Sequence, residues 1–101
     1  MPEIDCTEVL KALADRTRLR IVKALLEKDH GVNELTDRLQ TSQYNISKHL
    51  RILKLAGIVD VRAVGTRREY FIEPELRRQL KREGPVLDFG CCSFRSDQLP
   101  N

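Results

Sequence analysis

Apolar side chains in the first 40 residues recur every three or four positions, a spacing typical of amphipathic helices. Asp15 precedes the second group, and its side chain is well suited to cap a helix. The sequence 29–31 (DHG) breaks the pattern before a short third helix from about Asn33. The three stripes consist of Val9, Leu10 and Leu13, then Leu19, Val22, Leu25 and Leu26, then Leu35 and Leu39.

A fourth helix is predicted from Ser42 to about residue 56. Ser42 is a suitable N-cap, and Ile46, Leu50 and Leu53 form the stripe that would be buried. Gly57 follows the last turn, where a left-handed residue commonly ends a helix. The three residues 40–42 leave only a tight turn between the third and fourth helices.

After Gly57 the apolar period changes to two. Residues 58–63 and 67–72 are predicted strands, and residues 64–66 supply a turn with Gly65 at its tip, which together indicate a β-hairpin. Pro74 suits the first turn of a further helix carrying Leu76 and Leu80, which residues 84–85 would stop. Residues 86–101 have no clear period.

The order of four helices, a hairpin and a further helix predicts a mainly α fold with one β-hairpin, a winged helix-turn-helix. We expect residues 1–82 to form this domain and residues 83–101 to form a C-terminal tail with a vicinal cysteine pair. The chain has 101 residues, 41% of them hydrophobic and 33% charged, as in a globular protein of one domain. Without an export signal or a long apolar run, we expect a cytoplasmic protein.

Positive charge is concentrated in the centre of the chain. The net charge of the whole chain is +3. Residues 41–68 contain six Lys and Arg residues and a single acidic residue, Asp60, so the net charge of this segment is +5. A local basic patch indicates a polyanionic partner, although a merely solvated surface remains the alternative. On the fourth helix, the side opposite the apolar stripe carries Gln43, Tyr44, Ser47, Lys48 and Arg51.

Those residue types fit duplex DNA. Gln and Asn can pair with adenine edges, Arg and Lys with guanine, and Ser or Tyr with phosphate, while the helix itself fits the major groove. The hairpin would place Arg62, Arg67 and Arg68 beside the neighbouring backbone or minor groove. We weigh this against a winged-helix module that binds only proteins. An enzyme is excluded, because no nucleophilic triad, glycine-rich phosphate loop or metal-hydrolase motif is present.

Two segments resemble the ArsR/SmtB-type metal-responsive repressors. They are residues 12–22 (ALADRTRLRIV) and residues 42–59 (SQYNISKHLRILKLAGIV), and the hairpin matches that family's wing. The resemblance covers roughly residues 8–73. It implies a homodimer built on the first and last helices, which binds a palindromic operator and represses transcription.

The resemblance places the family's groove-contacting positions on the start of the fourth helix. His49 matches the family's nearly constant histidine, and we interpret it as structural or phosphate-facing. The alternative for Ser42 is that it only caps the helix. The alternative for Tyr44 is that it packs on the wing. The candidate DNA-binding residues are Ser42, Gln43, Tyr44, Asn45, Ser47, Lys48, His49, Arg51, Arg62, Arg67 and Arg68.

Two sensor sites familiar in that family are absent from this sequence. Residues 32–36 contain no cysteine pair for arsenic or cadmium, and residues 73–83 contain no histidine for zinc. The remaining candidate ligands are Cys91 and Cys92 in the tail, with Cys6 as a third. Thiolates select thiophilic ions, so As(III) or Sb(III) is the expected inducer, and no resident cofactor is required.

Other interpretations of the cysteines stay open. A thiol redox or persulfide switch is one, and small buried or incidental tail residues are another. In the cytoplasm we expect all three as reduced thiols, and neighbouring Cys91 and Cys92 make a disulfide framework unlikely.

Overall fold

A computed structural model describes residues 5–101. Five helices and a two-stranded hairpin confirm the predicted winged helix-turn-helix class, and none of the helices in this range is both long and apolar enough to cross a membrane. The elements are α1 Cys6–Leu13, α2 Arg16–Glu27, α3 Val32–Leu39, α4 Gln43–Leu55, β1 Val59–Val64, β2 Arg67–Ile72, α5 Pro74–Glu83, β3 Val86–Asp88, β4 Ser93–Arg95 and a 3-10 turn Ser96–Gln98.

The predicted helix ends are confirmed by their caps. Asp15 accepts a hydrogen bond from the backbone N–H of Arg18 at 3.0 Å, and the hydroxyl of Ser42 accepts one from the N–H of Asn45 at 3.1 Å. Gly57 follows α4 with a φ of +81°, which a residue without Cβ adopts at little cost. The chain can therefore turn sharply from α4 into β1.

One apolar core joins the five helices and the two hairpins, with α4 at its centre. Ile46, Leu50 and Leu53 are completely buried, and they pack in one cluster with Leu25 of α2 and Leu35 of α3. Their spacing of four and three residues puts them on one side of the helix. The other side of α4 is therefore directed to solvent.

The wing, defined here as β1 and β2 with their connecting turn, is an antiparallel hairpin. Val59 pairs with Ile72 and Val64 with Arg67, so the turn contains only Gly65 and Thr66, and Gly65 has a φ of +63°. The wing is attached to the α2–α3 loop by two backbone hydrogen bonds between His30 and Tyr70, of 3.1 and 2.8 Å. The wing thus has a fixed position beside the start of α3.

The tail folds against the same core. Strands β3 and β4 form a second hairpin that buries Leu87 and Phe89, and Leu99 is buried beyond it. Lys23 of α2 donates a hydrogen bond to the carbonyl of Leu99 at 3.2 Å, and Arg20 donates one to the carbonyl of Asn101 at 2.7 Å. The segment without periodicity in the sequence is therefore held to α2 by both apolar and polar contacts.

Two leucines of α4 provide a matched test of this arrangement. Leu53→Ala should lower the free energy of unfolding by about 3 kcal/mol, because it leaves a cavity at a fully buried site. Leu55→Ala should change it by less than about 0.5 kcal/mol, because Leu55 is 78% exposed. Urea denaturation followed by circular dichroism measures both, and equal losses would contradict the assigned orientation of α4.

Candidate nucleic-acid interface

The solvent side of α4 carries the polar residues expected of a recognition helix. Gln43, Tyr44, Ser47, Lys48 and Arg51 are all exposed. The tyrosine is 81% exposed, so it does not pack on the wing, and the alternative weighed for it is wrong. These side chains form one continuous strip from the first turn of α4 to its third.

Several cations of this region have no partner among the residues that the structure describes. Lys48, Arg51 and Arg68 make no ion pair or side-chain hydrogen bond with any of residues 5–101, and Arg67 reaches only Glu69, at 3.7 Å. Positive groups that are exposed and uncompensated remain available to an external anion. The predicted basic patch is therefore present as a physical surface.

The strip on α4 and the tip of the wing belong to one surface. The side-chain amide of Gln43 donates a hydrogen bond to the side-chain oxygen of Asn33 in the first turn of α3. Asn33 also lines a cleft of about 260 Å³ whose opposite wall consists of Thr66, Arg67 and Arg68. The start of α4, the start of α3 and the wing tip thus lie side by side.

Two further predicted residues serve local structure as well. Ser42 caps α4 and is itself exposed, so capping leaves its surface accessible. Asn45 is half-buried, and its amide donates to the hydroxyl of Thr41 at 3.0 Å. Their assignment as DNA contacts stays a prediction.

His49 requires a correction, because its ring lies in the interior. It is only 6% exposed, and its Nδ1 lies 2.9 Å from the guanidinium of Arg18. The same guanidinium donates to the carbonyls of Ala12 at 2.6 Å and Lys11 at 3.2 Å, and lies 3.9 Å from Asp15. His49 is therefore a structural residue that joins α4 to the end of α1, and it does not face a phosphate.

Arg62 has a structural role that the sequence did not predict. Its guanidinium contacts Asp29 at 2.5 Å and Glu69 at 3.4 Å and stacks over the ring of Phe71 at 4.9 Å. The hydrogen bond to Asp29 is the main reason that the pKa of Arg62 is raised. Its charge is paired with two carboxylates, so Arg62 fastens the wing to the α2–α3 loop; its side chain is still 49% exposed, and its assignment as a DNA contact stays a prediction.

The cysteines differ most from expectation. The prediction of three reduced thiols is wrong, because Cys6 and Cys91 form a disulfide and only Cys92 is free. Their Cα atoms are 6.1 Å apart, so the start of α1 and the tail meet within one chain. Cys92 is half-buried and packs against the core. No group of three or more Cys, His, Asp or Glu able to hold a metal is assembled within residues 5–101.

Residues 15–61, from the cap of α2 through α4 into β1, match the family model described as bacterial regulatory protein, arsR family. The solved homodimeric winged helix-turn-helix DNA-binding domain Mb0332 from Mycobacterium bovis is 30% identical, with a TM-score of 0.68 over 74% of this chain and 70% of that one. The chain belongs to the ArsR family. The resemblance found in the sequence is thereby confirmed, and the family consists of transcriptional regulators, not enzymes.

Two other relatives of this ArsR-family chain are informative. Reduced HlyU from Vibrio cholerae has a TM-score of 0.64 and 32% identity, over 75% of this chain and 84% of that one. The regulator KmtR from Mycobacterium tuberculosis is 37% identical over 73 residues, which are 72% of this chain. The match spans only 56% of the length of KmtR.

Sequence reasoning missed Asn33, Arg18 and Asp29 as parts of this region. Asn33 is a polar residue in the first turn of the helix before the recognition helix, and that position is the only signal that could have suggested it. Arg18 lies inside the family-like segment 12–22, but nothing in its spacing predicts a partner 31 residues away. Asp29 falls in a helix-breaking sequence, which gives no sign of its ion pair with the wing.

The buried imidazole predicts a pH dependence of stability. Burial is the main reason that the pKa of His49 lies below its ordinary 6.5; the positive charges of Arg18 and Lys48 also lower it, while Asp15 raises it. The unfolded chain therefore binds this proton at higher pH than the folded chain does. The free energy of unfolding should fall as the pH drops below about 6.5, by about 1.4 kcal/mol for each unit of difference between the two pKa values.

His49→Asn tests this, because its amide oxygen can accept from Arg18 but does not titrate. Urea unfolding at about pH 7.5 and about pH 5 should show a smaller loss of stability in the variant than in the parent chain. An unchanged difference between the two pH values would contradict the assignment of His49 as a buried neutral acceptor.

Proposed function

We propose that this chain is a dimeric, sequence-specific DNA-binding repressor of transcription that acts in the cytoplasm. The observation that carries the proposal is the surface of exposed cations, without ion pairs within residues 5–101, formed by Lys48 and Arg51 on α4 and Arg68 in the wing. A protein-binding surface of similar area would bury such charges only at a large desolvation cost. Phosphates, in contrast, compensate them and release counterions.

In this proposal α4 enters the major groove with its first turn towards the base edges. Gln43 and Tyr44 lie in that turn, and Ser47 and Lys48 follow one turn later. The wing tip lies beside the same surface, so Arg67 and Arg68 contact the adjacent backbone. Two copies related by a two-fold axis would contact two half-sites of a palindromic operator. The homodimeric form of the Mb0332 domain supports this assembly.

Charge removal tests the DNA-binding role. Lys48→Ala and Arg68→Ala should each weaken binding about fivefold to a duplex selected by the parent chain from a random library. Each should also reduce the steepness of the log–log salt dependence by about 0.9 for each phosphate that the variant no longer neutralises. Fluorescence anisotropy at several salt concentrations measures both quantities.

Arg95→Ala is the charge-matched control, because Arg95 lies in the tail and pairs with Asp97 at 2.6 Å. It should leave DNA affinity unchanged. If all three variants bind alike, the proposed surface is wrong. If the parent chain selects no sequence at all, the alternative of a protein-binding winged-helix module is favoured.

We further propose that the cysteines control release from DNA, because the Cys6–Cys91 bond links α1 to the tail. Disulfides in the cytoplasm are usually transient and regulatory, and Cys91 is exposed to thiol reductants. The end of α1 contacts Arg18, and Arg18 contacts His49 of α4. A change at Cys6 can thereby reach the recognition helix through a continuous chain of contacts.

Two inputs fit this cysteine set. In the first, a cellular dithiol supplies two electrons and two protons, which convert the disulfide into the thiols of Cys6 and Cys91. The second input requires the same reduction first. Arsenous acid, As(OH)₃, condenses with the thiols of Cys6, Cys91 and Cys92, which forms three As–S bonds and releases three waters. Soft thiolates suit As(III) and Sb(III). Because a reduced form of the relative HlyU has been solved, reduction without arsenic is a separate candidate for the signal.

Replacing the tail cysteines separates the inputs. Cys91→Ser/Cys92→Ser should bind the selected duplex like the reduced parent chain but lose arsenite-induced release, which should lower the parent's affinity at least about tenfold. Cys92→Ser alone keeps the disulfide-forming pair, so it should lose the arsenite response and keep any response to diamide and dithiothreitol. Release by arsenite in the double variant would place the sensor elsewhere.

A further inference from the structure

The contact between Gln43 and Asn33 joins the first turns of two successive helices. Gln43 is the first residue of α4, and one N–H of its side-chain amide donates to the side-chain oxygen of Asn33, the second residue of α3. Both residues are exposed. The bond therefore contributes nothing to the buried core, yet it restricts a side chain at the centre of the proposed DNA surface.

A free glutamine side chain has several rotamers, and fixing one of them on binding costs conformational entropy. The bond to Asn33 limits these rotamers before DNA arrives. It also uses only one of the two amide hydrogens, so the second hydrogen and the carbonyl oxygen of Gln43 remain available. These two groups are one donor and one acceptor on the same planar amide.

Among the bases, adenine offers the matching pair in the major groove, with N7 as an acceptor and the N6 amino group as a donor. Guanine offers two acceptors there and leaves the oxygen of Gln43 without a donor. Asn45, the other amide on this part of α4, is half-buried and donates to Thr41. Of the two amides, Gln43 is therefore the more accessible to a ligand at this surface.

We propose that Asn33 is a positioning residue that orients the amide of Gln43 to recognise one adenine in each operator half-site. This inference rests on the proposed DNA-binding function. Asn33 also faces Arg67 and Arg68 across the cleft beside the wing. Phosphate contacts by those arginines would hold the backbone in register while Gln43 contacts the base, so affinity and base preference come from different side chains.

The test uses the full chain and a duplex selected by it from a random library, with each base pair then replaced in turn. Gln43→Ala should remove a preference of about tenfold for A·T at one position per half-site. Asn33→Leu, which has similar size but no acceptor, should reduce the preference at that same position to about threefold or less. The combination of both substitutions should lose no more than Gln43→Ala alone.

Asn33→Asp is the conservative control, because its carboxylate still accepts from Gln43. It should keep the adenine preference while its negative charge lowers affinity for every duplex alike. The inference is overturned if Asn33→Leu leaves the preference intact, if it weakens all duplexes equally, or if Gln43→Ala alters a base pair other than A·T. Failure of the parent chain to select any duplex would instead contradict the proposed function itself.

Discussion

The burial of one side of α4 is the constraint on which the rest of the molecule depends. Ile46, Leu50 and Leu53 are fully buried, and each such side chain stabilises the fold by about 1.5–3 kcal/mol. Their helical spacing leaves no freedom for the helix to rotate without exposing them. The direction of Gln43 and Lys48 is therefore decided by apolar residues on the opposite side, and no polar contact is needed to point them outward.

Arg18 provides the second constraint, because it connects α4 to α1. The carbonyls of Lys11 and Ala12 lie at the end of α1, where backbone acceptors lack helical partners, and a guanidinium is favourable there. The third guanidinium nitrogen, Nη1, donates to Nδ1 of His49, which must be neutral to accept this hydrogen bond. One cation thus satisfies a helix end and fixes the position of the recognition helix, which explains why a histidine in a DNA-binding segment faces inward.

The sequence was sufficient for the helices, the wing and the exposed strip, because each follows from a local pattern; Ser42, for example, caps the helix it was expected to cap. Contacts between distant residues were not predictable, and the pairing of Arg62 with Asp29, across 33 positions, arises only when the whole chain has packed. Arg67 and Arg68 lie next to the turn of the hairpin, farther from the carboxylates of the body. Position along the hairpin, and not residue type, therefore separates Arg62, which is paired with Asp29 of the α2–α3 loop, from the arginines of the tip, of which Arg67 pairs only within the wing, with Glu69, and Arg68 has no ion pair within residues 5–101.

The tail connects this architecture to its proposed control. Leu87, Phe89 and Leu99 bury apolar surface on the core in addition to the disulfide, so we expect the tail to stay docked when the disulfide is reduced. Binding three thiolates to one ion would require a larger structural change than reduction does, because Cys92 is half-buried against the core while Cys91 is exposed. Bringing Cys92 to the ion requires the hairpin to give up part of its packing. A ligand shifts a conformational equilibrium only if it binds one conformation more tightly than the other. Here the two conformations would differ in the packing of the tail hairpin next to α1, whose far end is bound by Arg18.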